Sequence, residues 1–140
     1  MGTAARAYAA CAALAMGTLA TTPAPAEPYG VAVLRALDKV TARTTTLQAP
    51  VGEPVRFGAL QVTARSCDKR PPEETPESAA FLEIVELRPS QPPVDVFRGW
   101  MFASSPGLSA MQHPVYDVWV LDCENRLSSA EPSESPVGSE

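Results

Sequence analysis

Val94–Cys123, VDVFRGWMFASSPGLSAMQHPVYDVWVLDC, contains both tryptophans (Trp100 and Trp119), the single histidine (His113) and the last of three cysteines. Its two ends read as strands. Over Val94–Ala103, apolar side chains alternate, placing Val94, Val96, Trp100 and Phe102 on one face. Arg98 interrupts that face, and Gly99 marks a bulge or a close backbone approach. Tyr116–Cys123 is apolar on both parities, the pattern of a strand covered on both faces. Between them, Ser104–Pro114 connects the strands. Pro106 suits the first position of a short helical turn running through Leu108–Met111, and Pro114 stops it.

Moving outward, the same short-period pattern recurs. Val31–Lys39 reads as a strand with Val31, Val33 and Leu37 on one side. Arg43–Ala49, rich in threonine, suits a half-exposed partner. The turn near Thr41-Ala42 has no Gly or Asn, so its hairpin chemistry is weak. Val55–Gly58 is a short strand after the Pro50–Pro54 turn. Leu60–Cys67 follows, with Leu60, Val62 and Ala64 inward. Alternation alone points Cys67 to the polar side, so either a bulge reverses the parity or the cysteine lies at the strand's end. Asp68–Ser78, with its prolines and dense charge, is a loop. Ala79–Leu87 mixes helical and extended signals; its β-branched residues and the prolines that follow favour a strand.

Six to seven strands and at most one short helical turn predict an all-β fold, a single antiparallel sandwich or partly open barrel. No segment supplies the crossover helices that a parallel sheet needs.

The ends of the chain read differently. Residues 1–26 have the form of a signal peptide, with Arg6 in a short positive start, an apolar run over Tyr8–Ala20, and Ala24-Pro25-Ala26 before the expected cut. The run is too short to cross a bilayer comfortably, so no membrane span is expected after cleavage. Tyr8 stands where a lipoprotein signal wants an aliphatic residue, which argues against lipidation of Cys11. The domain is expected over residues 27–127. Ser128–Glu140, rich in Ser, Glu and Pro, reads as a disordered tail.

Cleavage leaves Cys67 and Cys123. In a periplasmic or secreted protein such a pair reads as a disulfide. The bridge would close a loop of roughly 57 residues and contribute about 4 kcal/mol in the chain-entropy description. A reactive thiol is the alternative reading. There is no CxxC pair, and one histidine gives no zinc set, so no metal and no cofactor are expected. The net charge of −5 argues against nucleic acid and against anionic membrane surfaces.

The phrases RPPEETPE (Arg70–Glu77), GWMFASSP (Gly99–Pro106) and HPVYDVWVLDC (His113–Cys123) resemble a family of secreted alphaproteobacterial proteins, the domain-of-unknown-function family 2155. The resemblance runs from about Leu34 to Cys123. It implies an envelope location and a Cys67–Cys123 pair, and it implies no activity.

Two site hypotheses come from the residues. A small cell-wall hydrolase would use Ser104 or Ser105 as nucleophile, His113 as base and Asp117 or Asp122 to orient it. The segment around Ser105 is not GxSxG, and Pro106 removes a backbone donor from any oxyanion hole. A binding surface for carbohydrate, peptidoglycan or an apolar peptide would use Arg98, Trp100 and Trp119. Arg98 would meet a ligand carboxylate or pair with Asp117. Paired carboxylates for glycoside chemistry, Glu83 with Glu86 or Asp117 with Asp122, have odd separations that send them to opposite faces. They read instead as solvated acids or as partners for Arg88 and Arg98. The leading expectation is a non-enzymatic interaction or accessory module with an envelope protein or cell-wall component as partner. The bridge would bring the RPPEETPE loop beside the end of the final strand.

Overall fold

A computed structural model describes residue 22 and residues 26–125. The expected signal peptide, apart from Thr22 and Ala26, and the Ser128–Glu140 tail lie outside the described residues. Eight strands and one single-turn 3-10 helix follow in chain order: β1 (Glu27–Pro28), β2 (Val31–Asp38), β3 (Arg43–Pro50), β4 (Pro54–Phe57), β5 (Leu60–Lys69), β6 (Ser78–Glu86), β7 (Val94–Phe102), the helix (Pro106–Ser109) and β8 (Tyr116–Glu124). Seven coincide with the strands read from the sequence. The two-residue β1, which carries no periodic signal, is the addition.

The strands form two antiparallel sheets packed as a sandwich, and the sheets do not close into a barrel. One sheet runs β1-β5-β6-β7, with β4 also on β5; the other runs β3-β2-β8. The outer edge of β5 is shared by β4 near Leu60–Thr63 and by β1 at Asp68–Lys69. Inward side chains from both sheets make one core: Ala32, Leu34 and Ala36 from β2, Leu60, Val62 and Ala64 from β5, Leu82 and Ile84 from β6, and Val118 and Val120 from β8. Burial of this apolar surface, at about 25 cal/mol per Å², drives the packing.

The core side of β2 differs from the sequence expectation. Alanines and Leu34 face the opposite sheet, while Val31 and Val33, on the other parity, are buried as well. β7 also reverses. Val96 is an extra residue between the Ile84–Phe97 and Val85–Asp95 pairs. Met101 is buried and Phe97 packs against the core, whereas Trp100 is 40% exposed.

The β2–β3 hairpin turns without glycine or asparagine because Asp38 supplies the missing chemistry. Its Oδ1 accepts the N–H groups of Val40 and Thr41 at 2.9 and 3.2 Å, and Ala42 takes a positive φ of 55°. The Thr41 N–H is the largest influence holding the Asp38 carboxyl below its ordinary range.

Cys67 and Cys123 are bridged, with Cα atoms 5.7 Å apart, and both are buried. Each is reached through a bulge. The β5–β6 register shifts between Ala64 and Ser66, making Arg65 the extra residue, and this turns Cys67 inward. The β2–β8 register shifts between Val33 and Leu34, making Leu121 the extra residue, and this turns Cys123 inward after Val118 and Val120. The bridge thereby ties the two sheets together through the core.

Candidate functional site

At the disulfide end of the sandwich, four segments distant in sequence line a cleft of about 530 Å³. Tyr29 and Leu121 contribute apolar surface, Pro71, Pro72 and Glu74 come from the loop after β5, and Ser104 opens the connection after β7. The loop Arg70–Glu77 is closed at its base by the Arg70 N–H on the Glu77 carbonyl at 3.0 Å, and a turn inside it is closed by the Glu74 N–H on the Pro71 carbonyl at 3.0 Å. With three prolines restricting φ, it holds its shape with few internal bonds.

Two carboxylates fasten this end. Glu77 accepts the backbone N–H groups of Ser78 and Ser104, each at 3.1 Å, and the Ser104 hydroxyl donates to its other oxygen. Burial alone would raise the Glu77 carboxyl, but the Ser104 hydroxyl and N–H outweigh it and hold it below the ordinary value. Asp122 accepts from Lys69 Nζ at 2.8 Å, from the Ser78 hydroxyl at 2.8 Å and from the Cys123 N–H at 2.8 Å. Here too burial works upward and is overcome, chiefly by Lys69 and Ser78, so the carboxyl is held low. The Asp122 contact in turn raises Lys69 above the ordinary lysine value. Lys69 also stands 6.0 Å above the centre of the Tyr29 ring. The result is a rigid wall of fixed charge beside apolar proline and leucine surface.

The proposed catalytic set does not assemble. Among the described residues no hydrogen bond joins Ser105, His113 and Asp117. His113 Nδ1 accepts the N–H groups of Val115 and Tyr116, both at 3.1 Å. The proton is therefore assigned to Nε2, which faces Glu86 at 3.5 Å. The ring stacks on Tyr116, with centroids 5.3 Å apart, and is nearly buried. Asp117 accepts the Val118 N–H at 3.0 Å, and Ser105 precedes the 3-10 helix without a side-chain capping bond. No group of three or more His, Cys, Asp or Glu among the described residues could hold a metal ion.

The aromatic candidates lie on opposite outer faces. Arg98 and Trp100 are on the outside of the β5-β6-β7 sheet, where Trp100 meets Phe81 edge-on with ring centroids 5.7 Å apart. Arg98 approaches Glu83 at 3.6 Å, and Arg65 bonds the same carboxylate at 2.9 Å, so Arg98 pairs with Glu83 rather than with Asp117. Arg88 pairs with Glu86 at 2.8 Å. Trp119, flanked by the buried Val118 and Val120, points out of the other sheet. The sequence reading missed Lys69 and Glu77. Both sit in a stretch whose proline and charge content signalled a loop and hid the two residues that anchor it.

Among the described residues no helix is long and apolar enough to cross a membrane. Residues 32–123 match the family model described as an uncharacterized protein conserved in bacteria, DUF2155. The chain is also similar to the uncharacterized protein RP359 of Rickettsia prowazekii (strain Madrid E), with 31% identity over 88 residues, which is 63% of this chain and 57% of that protein. The chain thus spans little more than half the length of this relative. No solved structure matches.

Proposed function

We propose that this chain, which belongs to the DUF2155 family of conserved bacterial proteins, is a non-enzymatic interaction module of the cell envelope. The observation that carries the reading is the cleft at the disulfide end. Its walls come from four separated segments and are fixed in place by Glu77, Asp122 and the Cys67–Cys123 bridge. Prolines and leucine offer apolar surface, and Lys69, Arg70 and Glu74 border it with charge. Preformed surface of this mixed kind suits a protein segment docking with little ordering cost. His113, the residue a hydrolase would need as base, has its Nδ1 occupied by two backbone donors.

The envelope location rests on the signal-like first 26 residues and on the bridged cysteines, which persist in oxidising compartments. The test is a photo-crosslinking residue placed at Pro72 in the full-length chain, expressed in its native cells. A discrete covalent adduct from Pro72, absent when the probe is at the exposed Gln91 between β6 and β7, is expected, carried by a processed chain that begins at Glu27. An unprocessed cytoplasmic chain, or equal labelling from both positions, would overturn the proposal.

A further inference from the structure

The β3-β2-β8 sheet presents a row of unlike side chains across all three strands. Arg35 on the central strand is in register with Thr46 on β3 and with Trp119 on β8. Leu34 and Ala36 are fully buried in the core, and so are Val118 and Val120. Alternation therefore puts Arg35 and Trp119 together on the outside. Cross-strand neighbours of this kind have Cβ atoms about 5 Å apart.

Arg35 is unusual among the cations. Among the described residues two cationic side chains, Arg35 and Lys69, are half-buried, and Lys69 is satisfied by Asp122. Arg35 has no ion-pair partner among the described residues, and its Nε is shut off from water without an acceptor. Loss of hydration at a donor with nothing in return is costly, and such groups are rare in native folds. Asp117, on the same face beside Leu37, turns its Oδ1 to the Val118 N–H. Beyond Trp119 the row ends at a notch of about 330 Å³, with Pro106, Gly107 and Ala110 on one side and the indole, Val118 and Asp117 on the other.

We infer that this row is a binding site for an N-acetylated sugar bearing a carboxylate. The guanidinium supplies the cation, and the terminal Nη groups of its planar fork, unlike the enclosed Nε, are the ones that can meet a carboxylate. The indole supplies a flat apolar surface for the C–H face of a pyranose ring. The notch accepts a small apolar group such as an acetamido methyl, and the Thr46 hydroxyl can donate to or accept from ring hydroxyls. An open sheet face suits a flat sugar better than a peptide, which would need a groove to fix its direction. The site lies on a different surface from the disulfide-end cleft, so failure of either proposal leaves the other standing.

The test is titration of the isotope-labelled full chain, followed through the Arg35 Nε–H and Trp119 indole N–H resonances. The probes are N-acetylmuramic acid, N-acetylglucosamine as the analogue without the carboxylate, and a short peptide with a free C-terminus. Both resonances should move with N-acetylmuramic acid, and about tenfold more weakly or not at all with N-acetylglucosamine, a loss of about 1.4 kcal/mol. Arg35→Lys keeps the charge but loses the fork, and should weaken binding about tenfold. Trp119→Phe should do the same while Trp100→Phe changes nothing. Unmoved resonances, equal response to the two sugars, or a peptide binding more tightly than either would overturn the inference. Each variant's dispersed amide spectrum shows whether it is folded, and Thr46→Val offers a milder substitution in the same row.

Discussion

Lys69 and Asp122 pair at 2.8 Å within two residues of Cys67 and one residue of Cys123, so the same two strands are fastened once by charge and once by a covalent bond. The two fastenings differ in what loosens them. Acid acts on one and reductant on the other.

Replacing both cysteines with alanine should lower the unfolding free energy by about 4 kcal/mol, given the 56-residue separation of the bridged positions. Urea denaturation of the oxidised protein and the double variant measures this. Reduction of the native chain should produce a similar loss, since both sulfurs are buried in the core.

Asp122 predicts the direction of the pH dependence. Its folded-state pKa is held below the ordinary carboxylate value near 4, so its contribution is complete above that value. It is lost as the pH falls through the lower folded-state value. Lys69 behaves in the opposite sense. Its raised pKa gives stability that is complete below the ordinary lysine value of about 10.4 and is lost as the pH rises through the higher folded-state value. Asp122→Asn should flatten the acid limb of a stability–pH curve and cost about 1–2 kcal/mol at neutral pH, since the pair is partly exposed and the Ser78 bond is only partly kept.

His113→Ala should destabilise by about 2 kcal/mol by leaving the Val115 and Tyr116 N–H groups without their acceptor. His113→Asn, whose side-chain oxygen occupies much of the same position, should recover at least half of that. Thermal denaturation of the three proteins measures the difference.

Gly58→Ala should cost more than about 1 kcal/mol. Gly58 has a φ of +56°, and a Cβ there would lie 2.5 Å from the Tyr116 hydroxyl oxygen. Tyr116→Phe removes that oxygen and also the acceptor of the Ala59 N–H. In a double-mutant cycle the two changes should together cost less than their sum.

Seven strands were legible in the sequence because alternation is a local property, and the arrest of Ala79–Leu87 by Pro89 is local too. The faces of β5, β7 and β8 were less so. A bulge inserts one residue, and whether a strand carries one is decided by the partner it pairs with, which periodicity does not report. Arg65 therefore turns Cys67 inward against the simple count, and Val96 sends Trp100 outward. The β2–β3 turn was half legible: Asp38 stood in plain view, but its role depends on a side chain bonding its own backbone. At the disulfide end, the meeting of the RPPEETPE loop with the end of β8 followed from the cysteine pairing. The Glu77–Ser104 and Lys69–Asp122 anchors did not, because they join residues 27 and 53 positions apart.

The bulges at Arg65 and Leu121 make the bridge a proofreader of strand alignment. Each cysteine reaches the core only if its strand carries one surplus residue, so deletion of either residue, or a slip of one position during folding, would direct a thiol outward. A misaligned chain is thereby marked by a free, accessible sulfhydryl, and only the chain that has counted correctly on both strands can seal itself.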